Sequence, residues 1–407
     1  KFYSEDTNGE DSTPLTDIIT ANMNDKAKSM QSMLPRLLQP PEIAIKRGSI
    51  INLRFLTGRS AVVLSGMSSL KASGSMDKIE TYLKSANMEV NWIKGLSGEP
   101  TVSRVRETAA QISKLEPDWI VACGGGSVLD HSKLAWALYE HQGLELVDYS
   151  TPYTLPALRT KCRFVTIPTT SGSGSEVSVV GVVNDEDRPR KIPIVSRDFI
   201  PDIAILDPLL TAGLPADLTV CTAIDAFTHA IESYCSTAHN QMTDQYALVA
   251  GKIIVDNLQA VVENPADLDA RERLQIAATM AGIAQNSTSV GASHALAHAL
   301  GVTTNLNHGH CNAIVLSQVL QANAEFSPRP EMFVREIGLG SLEKISTWIS
   351  MVAASSHLSL RWGDNLISME HAKLESIAEI ALADVCLRTN PRKMILEELS
   401  TILENTK

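Results

Sequence analysis

The 407-residue sequence has no uninterrupted apolar run approaching the roughly eighteen residues that a membrane-spanning helix needs, so no transmembrane helix is expected. It also lacks a basic excess. Its 35 Lys and Arg against 46 Asp and Glu leave a net charge of -11, with no basic cluster, which argues against nucleic acid or another polyanion as partner. A small molecule is the better expectation. Paired cysteine spacing is missing too: Cys123, Cys162, Cys221, Cys235, Cys311 and Cys386 are scattered. That excludes a zinc ribbon and a disulfide framework and fits a reducing, cytoplasmic compartment. Neither a Gly-x-Gly-x-x-Gly fingerprint nor the lysine-serine signature of a Walker loop occurs. The first residue is Lys1 rather than Met, as expected of a tagged, trimmed or partial chain.

What is present is the balance of an ordinary globular protein, 44% apolar and 20% charged, at a length that allows two domains with separate cores. Residues 1–40 read as a polar extension, its first fifteen or so acidic and turn-prone. From Ile43 onward, strand and helix patterns alternate. Ala61–Leu64, Glu89–Ile93, Trp119–Ala122 and Phe164–Ile167 read as strands; Met76–Ala86, Val102–Leu115 and Ser127–Tyr139 read as helices. Alternation of this kind implies a doubly wound α/β domain on a parallel sheet, over residues 41–208. From about Thr211 only helical patterns remain, so residues 209–407 are expected to form an all-helical domain.

Two loops at strand ends have the composition of an anion site. Gly124-Gly125-Gly126-Ser127-Val-Leu-Asp130 runs from a strand into a helix, where glycines let a phosphate approach the backbone and the helix dipole favours it. Pro168-Thr169-Thr170-Ser-Gly172-Ser173-Gly174-Ser-Glu176 follows the next strand. Such loops are where open α/β sheets bind ligands.

In the helical half, Asp225 and His229 are four apart, as are His294 and His298, so each pair shares a helix face. Val220, Ile224, Phe227, Ile231 and Tyr234 form the apolar stripe that would seat the first of these helices. One carboxylate with two or three imidazoles suits a divalent transition ion such as iron or zinc. His308, past the expected helix end at Gly301, is placed to close the set from a loop; by spacing alone His298 is equally eligible.

Together these segments resemble the iron-containing (group III) alcohol dehydrogenases, from about Ile43 to Asn390-Pro391-Arg392. The resemblance implies an N-terminal dinucleotide-binding α/β domain, a helical C-terminal domain and an active site between them. It makes Asp225, His229, His294 and His308 the metal ligands and turns His298 into an active-site residue. It assigns Gly66, Gly124, Gly125, Gly126, Ser127, Asp130, Thr169, Thr170 and Ser173 to the cofactor cleft, and implies a homodimer.

One departure bears on the cofactor. Where many NAD-preferring members have an aspartate after the first strand, this chain has Ser65-Gly66; without a carboxylate to repel a 2′-phosphate, NADP is favoured over NAD. Ser65, Ser68 and Lys71 are candidate phosphate contacts. The expected reaction is reversible hydride transfer between nicotinamide C4 and a small alcohol or aldehyde, with Fe²⁺ (or Zn²⁺) as Lewis acid. His298 is the expected proton relay, with His310 a weaker candidate. Glycerol dehydrogenase-like enzymes and other polyol or hydroxy-acid dehydrogenases share this architecture. A metallohydrolase would need Glu232 as its base.

Overall fold

A computed structural model describes residues 36–66, 70, 74–186, 190–304, 306–365 and 374–407. The expected lead-in over residues 1–35, and Ser68 and Lys71, lie outside the described residues.

The first half is built on six parallel strands: β1 (Glu42–Ile45), β2 (Ser60–Ser65), β3 (Glu89–Lys94), β4 (Trp119–Gly124), β5 (Arg163–Pro168) and β8 (Ile203–Leu206). Helices α1 (Ser75–Ser85), α2 (Val102–Leu115) and α3 (Gly126–Glu140) carry three of the crossovers, and an antiparallel hairpin, β6 (Val180–Asp185) and β7 (Arg190–Val195), follows β5. The four expected strands and three expected helices all form. β1, β8 and the hairpin are additions that the strand patterns did not reveal. Strands β2 and β4 are buried on both faces, as central parallel strands must be, and therefore read as continuous Val, Ile and Ala runs.

The sheet order is β1-β8-β5-β4-β2-β3. Chain progress reverses at β2, which has β3 on one side and β4 on the other. The register pairs Ser65 with Cys123 and Gly124 with Pro168, so Gly66, the Gly124–Gly126 turn and the Thr169–Thr170 turn emerge from one edge of the sheet. An open α/β sheet has its ligand crevice at such a reversal.

The second half is helical: α4 (Ala216–Cys235), α5 (Gln241–Glu263), α6 (Leu268–Thr288), α7 (Ala292–Thr303), α8 (His308–Ala324), α9 (Arg329–Glu336), α10 (Leu342–Ser355), α11 (Leu374–Leu382) and α12 (Leu396–Asn405). The stripe on α4 is buried as expected, with Phe227 tilted against Trp348 and edge-on to Phe333. Each such large apolar side chain contributes about 1.5–3 kcal/mol by leaving water. Among the described residues no helix is long and apolar enough to cross a membrane.

The two halves meet where α6 packs on the loop after β5. Gly174 has φ +64°, and a Cβ on Gly282 of α6 would stand 2.8 Å from the Gly174 Cα, so backbone meets backbone there. Along α6, Gln275, Thr279, Gln285 and Asn286 donate to Pro168 O, Glu176 Oε1, Ser173 O and Val177 O respectively. The second glycine-rich loop is therefore held by the helical half.

Candidate metal centre and cofactor cleft

Helix α4 presents Asp225 and His229 one turn apart, both buried beside its apolar stripe. α7 brings His294 against them, its ring stacked on that of His229 with centroids 4.6 Å apart. His308 is the first residue of α8, a correction to its expected place in a loop, and α7 itself runs on past Gly301 to Thr303. The helical start is set by Asn307, whose side chain accepts from the His310 amide, and by Gly309: a Cβ there would lie 2.0 Å from the Cys221 carbonyl oxygen. Only glycine lets α8 begin this close to α4.

Asp225 Oδ1 lies 3.9 Å from His229 Nε2, 3.7 Å from His294 Nε2 and 3.5 Å from His308 Nε2. These separations are too long for hydrogen bonds. They suit donors sharing one ion, since ligand atoms about 2.1 Å from a tetrahedral centre stand about 3.4 Å from one another. Asp225, His229 and His294 form the compact part of the group, with donor atoms within 4.8 Å of one another; His308 approaches from the more open side. His294 Nε2 is buried without a hydrogen-bond partner in the protein, as suits a nitrogen that ligates a metal ion. Burial first, and neighbouring histidines after it, hold His294 well below the usual imidazole range. Burial does the same for His308 against the pull of Asp225. Neutral imidazole is the metal-binding form.

The supporting groups are specific. Glu232 Oε2 accepts from His294 Nδ1 at 2.6 Å and from the Gly291 amide at 2.8 Å, while Oε1 accepts from the Ser293 amide at 2.7 Å. This fixes the His294 tautomer with its Nε2 lone pair toward Asp225. The same contacts remove Glu232 as the free base that a hydrolase would need. Asn312 Nδ2 donates to Asp225 Oδ1 at 2.9 Å. Neither role was read from sequence, although Glu232 lies one turn beyond His229.

His298 stands apart from the donor group. Its Nδ1 donates to Asp384 Oδ2 at 2.7 Å, its ring stacks on His308 at 5.0 Å, and about a third of its side chain is exposed. His310 instead turns its Nε2 to the Ser359 carbonyl and is buried, which removes it from the proton route.

At the sheet edge, the glycine turns serve packing of the two loops. A Cβ on Gly124 would meet Val128 at 2.5 Å, one on Gly126 would meet Ser173 Oγ at 2.7 Å, and Gly125 faces Thr170 at 3.2 Å. Thr169 N donates to Gly124 O, which locks the loops together. Ser127 is exposed on the first turn of α3, where the helix dipole favours an anion. Asp130 turns away: its oxygens accept from Ser175 Oγ and the Val182 amide. Lys133, unnoticed in sequence, is wholly buried and donates to Ser175 Oγ, Ser178 Oγ and the Ser178 and Val180 carbonyls. Burial lowers its pKa to about 8 against the opposing charges of Asp130 and Glu176. Among the described residues Ser65 is buried with an unpartnered Oγ, and a Cβ on Gly66 would find only the Leu96 carbonyl oxygen at 3.4 Å and Val128 Cγ2 at 3.9 Å.

One carboxylate and three imidazoles gathered in one place, in a chain that also carries a dinucleotide-type sheet edge, are the equipment of a metal-assisted redox enzyme. Comparison with known proteins agrees. Residues 40–208 match the family model described as iron-containing alcohol dehydrogenase, and residues 219–406 match that of the C-terminal part of the same family. The chain is 34% identical over 378 residues to an NADPH-dependent butanol dehydrogenase of Clostridium saccharobutylicum, covering 91% of this chain and 97% of that one. A crystal structure of a 1,3-propanediol oxidoreductase superposes with a TM-score of 0.85 at 31% identity, covering 92% of this chain and 100% of the other. An iron-containing alcohol dehydrogenase from Thermococcus thioreducens gives 0.84 at 30% identity, covering 91% and 99%. The chain belongs to the iron-containing alcohol dehydrogenase family and is a metal-dependent, NAD(P)-linked alcohol dehydrogenase.

Proposed function

We propose that this enzyme interconverts short primary alcohols and their aldehydes with NADP(H), using Fe²⁺ held by Asp225, His229, His294 and His308. The observation that carries the reading is the convergence of three imidazole Nε2 atoms on Asp225 Oδ1 at 3.5–3.9 Å. When bound, the ion supplies Lewis-acid polarisation of the substrate oxygen and the dinucleotide supplies or accepts the hydride.

The protein's own contribution is orientation and proton handling. Glu232 holds the Nδ1 proton of His294, keeping its Nε2 free. His298 takes the alcohol proton at Nε2 in oxidation and returns it in reduction. Ser127, Thr169 and Thr170 line the cofactor side, with Gly124, Gly125, Gly126 and Ser173 shaping the loops. Asp130 fastens those loops rather than touching the cofactor. The opening at Gly66, without a carboxylate, supports NADP; the butanol dehydrogenase relative is NADPH-dependent by name. Six buried free cysteines suit a reducing compartment, and cytoplasmic location and a homodimer complete the proposal.

The test is oxidation of NADPH and NADH by metal-loaded protein with a panel of short aldehydes, diols and hydroxy acids. Faster turnover of C2–C4 aldehydes with NADPH is expected. A preference for polyols or hydroxy acids would move the enzyme to the glycerol dehydrogenase-like reading, and a preference for NADH would overturn the cofactor assignment.

A further inference from the structure

Consecutive turns of α7 repeat one device. At His294 the Nδ1 proton is taken by Glu232 from α4; at His298, four residues on, it is taken by Asp384, from the segment after α11. The two imidazoles differ in surroundings. His294 is buried among the proposed metal donors, whereas His298 is partly exposed. Asp384 is itself held on its other oxygen, Oδ1 accepting from the Cys386 amide at 2.8 Å as Asp384 caps the short turn Val385–Thr389. Both carboxylate oxygens are thus committed, one to the backbone and one to the imidazole.

We infer that Asp384 is a positioning residue for proton transfer: it fixes the His298 tautomer and ring direction so that Nε2, on the far edge of the ring, carries its lone pair on the cleft side. The inference rests on the reading of His298 as the proton relay. A carboxylate opposite Nδ1 keeps the proton on that nitrogen, so the ring can accept the alcohol proton only at Nε2. In oxidation the substrate O–H bond breaks, the hydroxyl proton forms an N–H bond at Nε2, and the hydride leaves the carbinol carbon for the nicotinamide. The imidazolium then has its charge next to the Asp384 carboxylate. Reduction runs the same transfers backward. Stacking on His308 confines the ring's plane but leaves it free to flip end over end; the Asp384 hydrogen bond removes that freedom.

The test is a double-mutant cycle in the metal-loaded enzyme, with Asp384→Asn, His298→Ala and the double variant compared for kcat, KM, bound metal and thermal melting. Asparagine remains a good cap but has only one acceptor oxygen, and its amide can donate to Nδ1 and select the wrong tautomer. Asp384→Asn is expected to lower kcat about 10- to 100-fold, with KM and metal content within about twofold of wild type. In the His298→Ala background it should add less than about twofold. Unchanged kcat in Asp384→Asn beside a large loss in His298→Ala would overturn this inference alone, as would equal losses from Asp384→Asn in both backgrounds. No loss in His298→Ala would remove the proton-relay reading beneath it. If Asp384→Asn does not fold, Asp384→Ser, which keeps a cap but cannot reach Nδ1, is held to the same outcomes.

Discussion

Single residues decide the finer chemistry. Gly66 follows the end of β2, where the sheet order reverses, and among the described residues its missing side chain leaves space rather than relieving a clash. Gly66→Asp therefore introduces a carboxylate without disturbing the backbone. Placed against a 2′-phosphate it should lower kcat/KM for NADPH at least about tenfold while NADH is spared or improved, since juxtaposed like charges cost several kcal/mol. Steady-state kinetics with both nucleotides read the ratio. An unchanged ratio would mean that the 2′-phosphate is recognised elsewhere.

Residue-scale legibility followed sequence distance. Asp225 and His229 could be paired from their spacing on α4. The partners of Glu232 and Asp384 could not, because each meets an imidazole 62 or 86 residues away. Nothing local distinguishes Glu232 from a solvated helix carboxylate until α7 is docked on it. The glycines were legible as a requirement but not as to cause. Gly124 and Gly126 read as room for a phosphate, yet a Cβ on Gly124 would meet Val128 at 2.5 Å and one on Gly126 would meet Ser173 Oγ at 2.7 Å.

At the scale of elements, α6 connects the Pro168–Glu176 loop to the helical half. Thr279 Oγ1 donates to Glu176 Oε1 at 2.7 Å, and Glu176 is buried close enough to Lys133 to feel its charge. Thr279→Val keeps the shape and removes a donor to a buried carboxyl group, a loss of about 1.5–3 kcal/mol if the group is ionised. NADPH is expected to bind about tenfold more weakly, measured by fluorescence titration, with metal content unaltered. An unchanged Kd would show that the loop holds its conformation without α6.

The far end of α3 is fastened in a different way. Glu140 accepts from the amides of Arg159, Thr160, Lys161 and Cys162, from Thr160 Oγ1 and from Trp136 Nε1. Burial alone would raise its pKa, but these donors together hold it below the ordinary value of 4.5. A carboxylate with a depressed folded pKa contributes stability that is present above the ordinary value and lost as pH falls through the folded value. The melting temperature of Glu140→Gln should therefore lie several degrees below wild type at neutral pH, with the difference narrowing below about pH 4.5. A difference that is flat with pH would mean that the site recognises shape rather than charge.

For the molecule as a whole, the α/β half and the helical half each carry part of the proposed site. The sheet edge offers loops for a dinucleotide, and α4, α7 and α8 offer donors for an ion. The broad division was legible because hydrophobic period changes from alternating strand and helix to helix alone. The β6–β7 hairpin was not, because its strands, of the same length, carry no continuous apolar run like those of β2 and β4. His308 was misplaced into a loop because Asn307 and Gly309 look like turn residues; here they are the cap and the close contact that start α8.

The central claim is that Asp225, His229, His294 and His308 form one ion site on which turnover depends. The most direct measurement titrates chelator-stripped protein with Fe²⁺ under anaerobic conditions, following bound metal and aldehyde reduction together, for wild type and for His294→Ala. The predicted result is one ion per chain, turnover rising in proportion and saturating at that ratio, and loss of both in the variant. Full turnover by metal-free protein, or equal metal binding by His294→Ala, would contradict it.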